Sequence, residues 1–553
     1  MDLNPDHLYF IPLGGSEQFG VNLNVYAYGG KLLIVDCGLG FADDSLPGID
    51  LVVPDPSFLE DRRDDILALI ITHAHEDHIG ATAHLWPELD CPVYCSAFTA
   101  EILKRKFDEH NVKNAKIHKV KPLQTIKRKP FEIQFIPVAH SVPDTMALFI
   151  STAQGTVVHS GDWNLDPKPA LGPITDPKPF KDLGKEGVLA YIGDSTNAQI
   201  EGYSGSEEDV SQGLSKLFKQ QKGRIAVTIF ASNVGRIRSI AKAAEACGRS
   251  VALVGRSLHR MVGAARECGY LDDIPDFVTE SDLGFIPHDQ VVLICTGSQG
   301  ESRAALSRIS QGNHDVRLQK GDTVIFSARA IPGNETDINK VKNNLAAGEI
   351  KIITPDDTKL TIHVSGHPRR GEITEMLQWL KPNLVVPVHG ERVMLEAQAE
   401  LAGSLQVPHT VIPYNGAVVR LAPEQPEIID YVSAGTLAVE SKRLLPTDHR
   451  AILARRKLQY TGVVHASLVM DRRGELVARP KVTTEGLIDQ QDLEEREFED
   501  EILEEIIEIL KDVPWEDREQ DNLVAEDVRI GIRRFVFHSL GFKPKATVHV
   551  MRV

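Results

Sequence analysis

Thr72-His73-Ala74-His75-Glu76-Asp77-His78-Ile79-Gly80 follows directly on an apolar run from Ile66 to Ile71. The run reads as a buried strand that stops where the imidazoles begin. Three His and one Asp within six positions, on a loop leaving a strand, can aim four ligand atoms into one small volume. Neutral imidazole with carboxylate suits Zn, Mn or Fe, and poorly suits the all-oxygen cages of Ca or Mg. A surface loop that is merely polar and His-rich is the plain alternative, and the HxHxDH spacing favours the metal site.

At 553 residues the chain is long enough for several domains of about 100–200 residues each. A hydrophobic fraction of 42% supports real cores. The net charge of −17 excludes a general nucleic-acid binder held by bulk positive charge, although it leaves a local groove open. The six cysteines, Cys37, Cys91, Cys95, Cys247, Cys268 and Cys295, form no CxxC pair and no secreted framework. They are expected as reduced, mostly buried thiols. No signal peptide opens the chain, and no apolar run approaches the roughly 20 residues of a membrane span. The expectation is a soluble, cytoplasmic protein with no membrane partner.

Upstream of the His cluster, Leu8–Leu13, Val21–Tyr28 and Lys31–Val35 read as strands of a meander. Asp36, at the end of the third, is either a turn former or a carboxylate that holds a ligand His from behind. Downstream, a helix begins at Gly80, Pro92–Cys95 is a strand and Ala97–His110 a helix. Lys113 to Lys129 then carries Lys113, Lys116, Lys119, Lys121, Lys127, Arg128 and Lys129 against no acid. It reads first as a solvated charged face, with phosphate contact as the second reading. The apolar strand Phe131–Val138 ends at His140, Thr156–His159 leads to Asp162, and Val188–Ile192 leads to Asp194.

From about residue 198 to 369, strands alternate with helices, which implies a parallel sheet wrapped by helices. Its strand ends carry Ala231-Ser232-Asn233, Gly255-Arg256-Ser257, Thr296-Gly297-Ser298 and Ser327-Ala328-Arg329. Such residues cap helices, and they also present backbone amides to phosphate. Four in one domain favour an anion-binding crevice at the strands' carboxyl ends. The strand-then-His design returns at Leu384–Val388 and His389, after Thr361–His367 with its two imidazoles. The sequence therefore divides at 1–197, 198–369 and 370–430, with 431–463 as a linker bearing one helix. Residues 464–553 form a small α/β unit. Its strands are Val464–Met470, Leu476–Val482 and Ala546–Val553, and its helices Leu493–Leu510 and Glu526–Leu540. Phe498, Ile502, Ile506 and Leu510 form one apolar stripe of the first helix. Binding or oligomerisation is the role expected of this unit.

His73, His75, Asp77, His78, His140, Asp162 and His389 exceed the needs of one tetrahedral metal with an open position. They divide between two divalent ions, Zn or Mn, with Asp162 as the bridge. Two metals about 3.5–4 Å apart clamp an in-line displacement at phosphorus by activated water. No Cys or Ser has the partners of a covalent nucleophile. His367, not required as a ligand, is the candidate donor of a proton to a leaving 3′-oxygen.

HxHxDH with His140, Asp162 and His389 resembles the metallo-β-lactamase fold. The inserted βα region, Asp194 in Gly193-Asp194-Ser195-Thr196-Asn197, and His367 look like the β-CASP nucleases within it. Phe230-Ala231-Ser232-Asn233-Val234, Ser327 to Glu335, His363-Val364-Ser365-Gly366-His367 and the C-terminal extension are similar to the bacterial ribonuclease J family. The resemblance implies an αββα sandwich, an inserted β-CASP parallel-sheet domain and a small C-terminal α/β domain. It implies a metal-dependent hydrolase that trims RNA from a 5′-monophosphate end and also cuts internally, in RNA maturation and mRNA decay. Asp77, His367 and Asp194 would be catalytic. Ser232, Asn233, Val234, His363, Val364, Ser365, Gly366 and His367 would hold single-stranded RNA. The C-terminal unit would support a homodimer or tetramer, with a degradation complex as a further partner. Gly235 departs from the family's Ser-Asn-x-His-Arg pattern, and Pro368-Arg369-Arg370 departs after the second imidazole motif. A DNA-processing β-CASP nuclease, a small-substrate thioester or lactam hydrolase, and a non-catalytic RNA-binding scaffold are the competing readings.

Overall fold

The computed structural model describes residues 3–331, 333–489 and 491–553, so Pro332 of the quoted Ser327–Glu335 motif lies outside the described residues. The strand predicted before the His cluster is Ile66–Ile70. It lies between two parallel neighbours, Lys31–Val35 and Val93–Cys95. The sheet around it runs Glu427–Tyr431, Ala417–Ala422, Leu8–Gly14, Leu23–Tyr28, Lys31–Val35, Ile66–Ile70, Val93–Cys95, Ile117–Lys119. A second sheet runs His409–Thr410, Leu384–Val388, Ala190–Asp194, Gly155–His159, Met146–Thr152, Phe131–Pro137, Thr125–Arg128.

Alternation at period two builds the layers. Leu148 and Ile150 face a core shared with Phe10, Tyr26, Leu33 and Ile70 of the first sheet. Ala147 and Phe149, on the opposite face, pack against Phe180 of the helix Pro177–Glu186 and Ile373, Met376 and Leu377 of the helix Arg370–Leu380. Layers of this kind make the expected sandwich.

The inserted sheet is wholly parallel, in the order Ser250–Val254, Val291–Cys295, Ile225–Thr228, Thr323–Phe326, Lys351–Ile353. Asn233 caps the helix Val234–Glu245 by accepting from Arg236 N at 2.8 Å, and Arg256–Glu267 follows the next strand. The chain leaves the sandwich beyond Asp194 and re-enters before Arg370, and an isolated parallel bridge joins Asn197 to Arg369 at this seam.

Residues 42–50 and 438–553 form a separate compact unit. Its sheet runs Lys481–Glu485, Val463–Met470, Lys545–Arg552, with the last two parallel. Val464, Ala466, Leu468 and Met470 face Ile502, Ile506 and Leu510 of one helix and Val524, Val528, Ile532 and Val536 of the other. Phe498 packs against the same cluster, completing the predicted stripe. The strand expected at Leu476–Val482 instead occupies Lys481–Glu485, and Leu476 makes only an isolated bridge to Met470. The turn at Gly474, with φ of 82°, delays the return, and Pro480 has no N–H for a ladder. The second helix begins at Asp521, more than a turn before the expected Glu526. Ahead of this sheet lie the strand Arg443–Pro446 and the helix Arg450–Thr461.

All six cysteines are free; Cys37, Cys91, Cys95 and Cys295 are buried and Cys247 and Cys268 half-buried. Among the described residues no helix is long and apolar enough to cross a membrane.

Candidate metal centre

Most of the candidate metal ligands stand where a strand stops. His73 follows Ile66–Ile70, and His140 follows Phe131–Pro137. Asp162, Asp194 and His389 come from the carboxyl ends of Gly155–His159, Ala190–Asp194 and Leu384–Val388, adjacent parallel strands of the second sheet. Asp77 and His78 sit on the single helical turn Glu76–Ile79. Gly38 makes room for that turn: a Cβ there would lie 1.6 Å from the Asp77 carbonyl oxygen. His389 itself is held at φ of 57°, a left-handed conformation that a β-carbon disfavours.

Three groups of candidate ligands share Asp162. In the first, His73 Nε2 and His140 Nε2 lie 3.5 and 3.6 Å from Asp162 Oδ2, and each is 3.1 Å from His75 Nδ1. In the second, His78 Nε2 is 3.3 Å from Asp162 Oδ1, and Asp77 Oδ2 is 3.1 Å from His389 Nε2. Both oxygens of Asp162 are buried and, among the described residues, have no hydrogen-bond partner. A buried carboxylate left so is costly unless a cation compensates it, so the residues present fit two divalent ions. The third group joins Asp162 and His389 to Asp194 and His367. In it, His367 Nδ1 and Asp194 Oδ2 already bond to one another at 2.8 Å.

Electrostatics separate these groups. Burial and neighbouring imidazoles lower His73 to about 4 and His75 and His140 to about 3, which keeps them neutral as ligation requires. Burial would lower His389 too, but Asp162, Asp194 and Asp77 raise it to about 10. Against its own burial, Asp194 and Asp162 raise His367. Burial would raise Asp162, but the imidazoles of His389, His78, His367 and His73 hold it well below the usual carboxylate range.

A further layer orients the ligands. Asp36 is wholly buried and accepts from His78 Nδ1 at 2.7 Å and from Thr72 N at 2.8 Å, which decides between its two sequence readings. Thr72 Oγ1 stands 3.0 Å from His73 Nδ1. His140 Nδ1 donates to the Gly366 carbonyl at 2.7 Å.

The residues predicted to hold substrate stand on two segments, the loop 363–367 and the start of the helix Val234–Glu245. Ser365 Oγ accepts from Asn197 Nδ2 at 2.8 Å and from His367 N at 3.2 Å. Ser232 is half-buried at the start of the capped helix, whereas Val234 is wholly buried in the core. Gly235 leaves its N-terminal turn without a side chain. His363 Nδ1 lies 3.4 Å from Arg236 Nη1, and Val364 flanks it. Sequence reasoning passed over Arg236, which is fully buried, pairs with Glu207 and donates to Ser327 O at 2.9 Å. Its place as the last residue of the Ser-Asn-x-His-Arg pattern was the available signal. It also passed over the Tyr26 hydroxyl, 2.9 Å from His159 Nδ1, because neither residue stands in a motif.

Family models match nearly the whole length. The metallo-β-lactamase superfamily covers residues 17–198, and the ribonuclease J β-CASP domain covers 222–345. A Zn-dependent metallo-hydrolase RNA specificity domain covers 359–412, and the ribonuclease J C-terminal domain covers 451–553. Ribonuclease J of Sinorhizobium meliloti is 44% identical over 99% of this chain and 98% of its own length. Ribonuclease J of Mycolicibacterium smegmatis is 40% identical over 85% of this chain and 84% of its own. A solved protein of unknown function from Enterococcus faecalis shares the fold, with a TM-score of 0.54 at 18% identity, across 75% of this chain and 100% of that one. Full-length identity of this order, with the matching domains in the same sequence, leads to one conclusion: the chain belongs to the ribonuclease J family.

Proposed function

We propose that the protein is a metal-dependent ribonuclease that degrades single-stranded RNA 5′ to 3′ from a monophosphorylated end and also cuts internally, in RNA maturation and mRNA decay. The observation that carries this reading is Asp162, whose two orphaned oxygens each serve a separate ligand group. His73, His75, His140 and Asp162 Oδ2 would hold one ion, and Asp77, His78, His389 and Asp162 Oδ1 the other, with Zn or Mn suited to both. Two such ions, when bound, lower the pKa of the attacking water and neutralise charge on the phosphate.

The chain's own residues supply the rest. Asp194 fixes His367 through Nδ1 and favours its protonated form, which leaves Nε2–H to protonate the departing 3′-oxygen. The Ser365–His367 loop and Ser232–Asn233 at a helix N-terminus support a phosphate-binding role. The C-terminal unit is proposed to support a homodimer or tetramer, and the site of action is proposed to be the cytoplasm, within a degradation complex.

The test uses one labelled RNA with a 5′-monophosphate, 5′-triphosphate or 5′-hydroxyl, incubated with Mn or Zn and with chelator. The expected result is metal-dependent release of mononucleotides, fastest from the monophosphate, with some internal cutting. Metal-loaded protein that cuts DNA but not RNA, or cuts nothing, would overturn the proposal.

A further inference from the structure

The basic run from Lys113 to Lys129, read at first as a solvated face, builds the open side of the sandwich. Ile117–Lys119 is the edge strand of the first sheet and Thr125–Arg128 the edge strand of the second. Lys31–Val35, Ile66–Ile70, Val93–Cys95 and Ile117–Lys119 run parallel, so their carboxyl ends share one rim. That rim presents Asp36, His73, Ser96 and then Lys119 to Lys121. Register places Ile70 beside Tyr94 and Tyr94 beside His118. Two strand spacings, about 10 Å, thus separate the basic edge from the strand that delivers His73. In the second sheet Arg128 pairs with Phe131, at the start of the strand whose far end leads to His140. The cations therefore extend from the metal end of the sandwich to its opposite end.

Charge and ring geometry single this edge out. Lys119 is neutralised by Glu101 at 2.6 Å and Lys127 by Glu132 at 3.0 Å. Lys113, Lys116, Lys121 and Lys129 are exposed and, among the described residues, have no carboxylate partner. His118 is exposed and stacks on Tyr94, with ring centroids 4.7 Å apart and planes at 15°. The Arg128 guanidinium lies over the same Tyr94 ring at 5.1 Å, and its Nε is buried and, among the described residues, has no hydrogen-bond partner. Unpaired cations beside an exposed planar ring are what a single strand of nucleic acid requires, since phosphates meet the ammonium groups and a base meets the ring. An acidic peptide would use the lysines and leave the ring idle.

We propose that this edge is a docking track for the downstream part of an RNA whose reacting phosphate lies at the metal centre. Phosphates of that part meet Lys121, Lys116, Lys113 and Lys129, and a base stacks on His118. The proposal rests on the ribonuclease reading and extends it from the reacting bond to the body of the substrate. It also reconciles an acidic chain with a polyanionic substrate, because positive charge is concentrated where the strand runs.

The test is binding of RNAs of about 30 and about 5 nucleotides, lengths above and within the span one groove holds, by fluorescence anisotropy. Full-length protein is used across a salt series in chelator, with turnover of the short RNA measured separately in Mn. Replacing Lys113, Lys116, Lys121 and Lys129 together by Ala is expected to weaken long-RNA binding about tenfold and to reduce the salt slope by about 3. His118→Ala is expected to weaken it about fivefold with the slope unchanged. Binding and turnover of the short RNA stay at the wild-type level in both variants. Wild-type affinity and slope for the long RNA in the lysine variant would overturn the proposal, as would equal losses for long and short RNA. A polyglutamate peptide that binds wild type but not the lysine variant, with long-RNA binding retained, would assign the edge to an acidic protein partner instead. Failure of the ribonuclease reading shows separately, as no turnover of the short RNA by the wild-type chain, while the anisotropy decides the track by itself.

Discussion

The imidazole of His140 donates from Nδ1 to the carbonyl oxygen of Gly366 at 2.7 Å, across 226 positions of sequence. One ring thereby joins the first ligand group to the loop that carries His367. The loop can approach so closely because residue 366 has no side chain: a Cβ there would lie 2.8 Å from His140 Cε1.

Gly366→Ala is therefore expected to displace the His140 ring. Loss of such an orienting contact lowers metal affinity about 10–100-fold. Metal content after dialysis against a weak chelator, read by elemental analysis, should fall selectively at one of the two ions. Full retention of both would refute the role assigned to this contact.

Chelation should lower the melting temperature of the wild-type chain, because the ions bind only the folded state. At a concentration of 100 Kd a ligand stabilises by about 2.7 kcal/mol per site. Asp162→Ala removes the ligand common to both groups, so its melting temperature should be insensitive to chelator. A variant that still responds to chelator would show that Asp162 is not shared.

His367→Gln keeps polarity but cannot carry a proton to the leaving oxygen. A fall in kcat of about 100- to 10,000-fold is expected, with metal content unchanged. Asp194→Asn should reduce kcat in the same direction, by weakening the 2.8 Å hold on His367 Nδ1. Loss of metal from the His367 variant would recast this residue as a ligand.

Burial, together with Arg236, Arg329 and Arg369, lowers His363 from 6.5 to about 3. Above the unfolded value neither state binds this proton, and its contribution to stability is complete. As pH falls from 6.5 toward 3 the unfolded chain takes the proton first, and stability is lost by up to about 1.4 kcal/mol per pH unit. Urea midpoints at about pH 7 and about pH 5, in chelator, should therefore drop more for wild type than for His363→Gln. Parallel drops in the two proteins would count against a neutral His363.

The fold was legible wherever burial imposes a period. Ile66–Ile70, Thr323–Phe326 and the stripe through Ile502, Ile506 and Leu510 stand out because apolar spacing is all they require. The strand expected at Leu476 slipped because hydropathy does not record a turn at Gly474 or the missing donor of Pro480. At the metal centre, His140 and His389 were legible because each follows an apolar run in a chain that already carries HxHxDH; an apolar run alone does not suffice, since His159 also ends one and bonds Tyr26 instead. Arg236 and the pair Tyr26–His159 were not, because their partners lie on other elements and only the folded chain brings them together. The lysine run illustrates the same limit. Its charge was visible in sequence, but the stack of His118 on Tyr94 depends on the pairing of two strands.

The inserted parallel-sheet domain leaves and re-enters the sandwich at adjacent points, tied by the bridge between Asn197 and Arg369. In connectivity it is a cassette that could be cut out and its ends rejoined by a short loop. In chemistry it is not detachable, because Asp194 and His367 flank the joint and Gly366 steadies His140. Exchange of this cassette between relatives should succeed only when residues 194–197 and 363–369 travel with it. Host and insert are thus bound to diverge together, at a seam only a few residues wide.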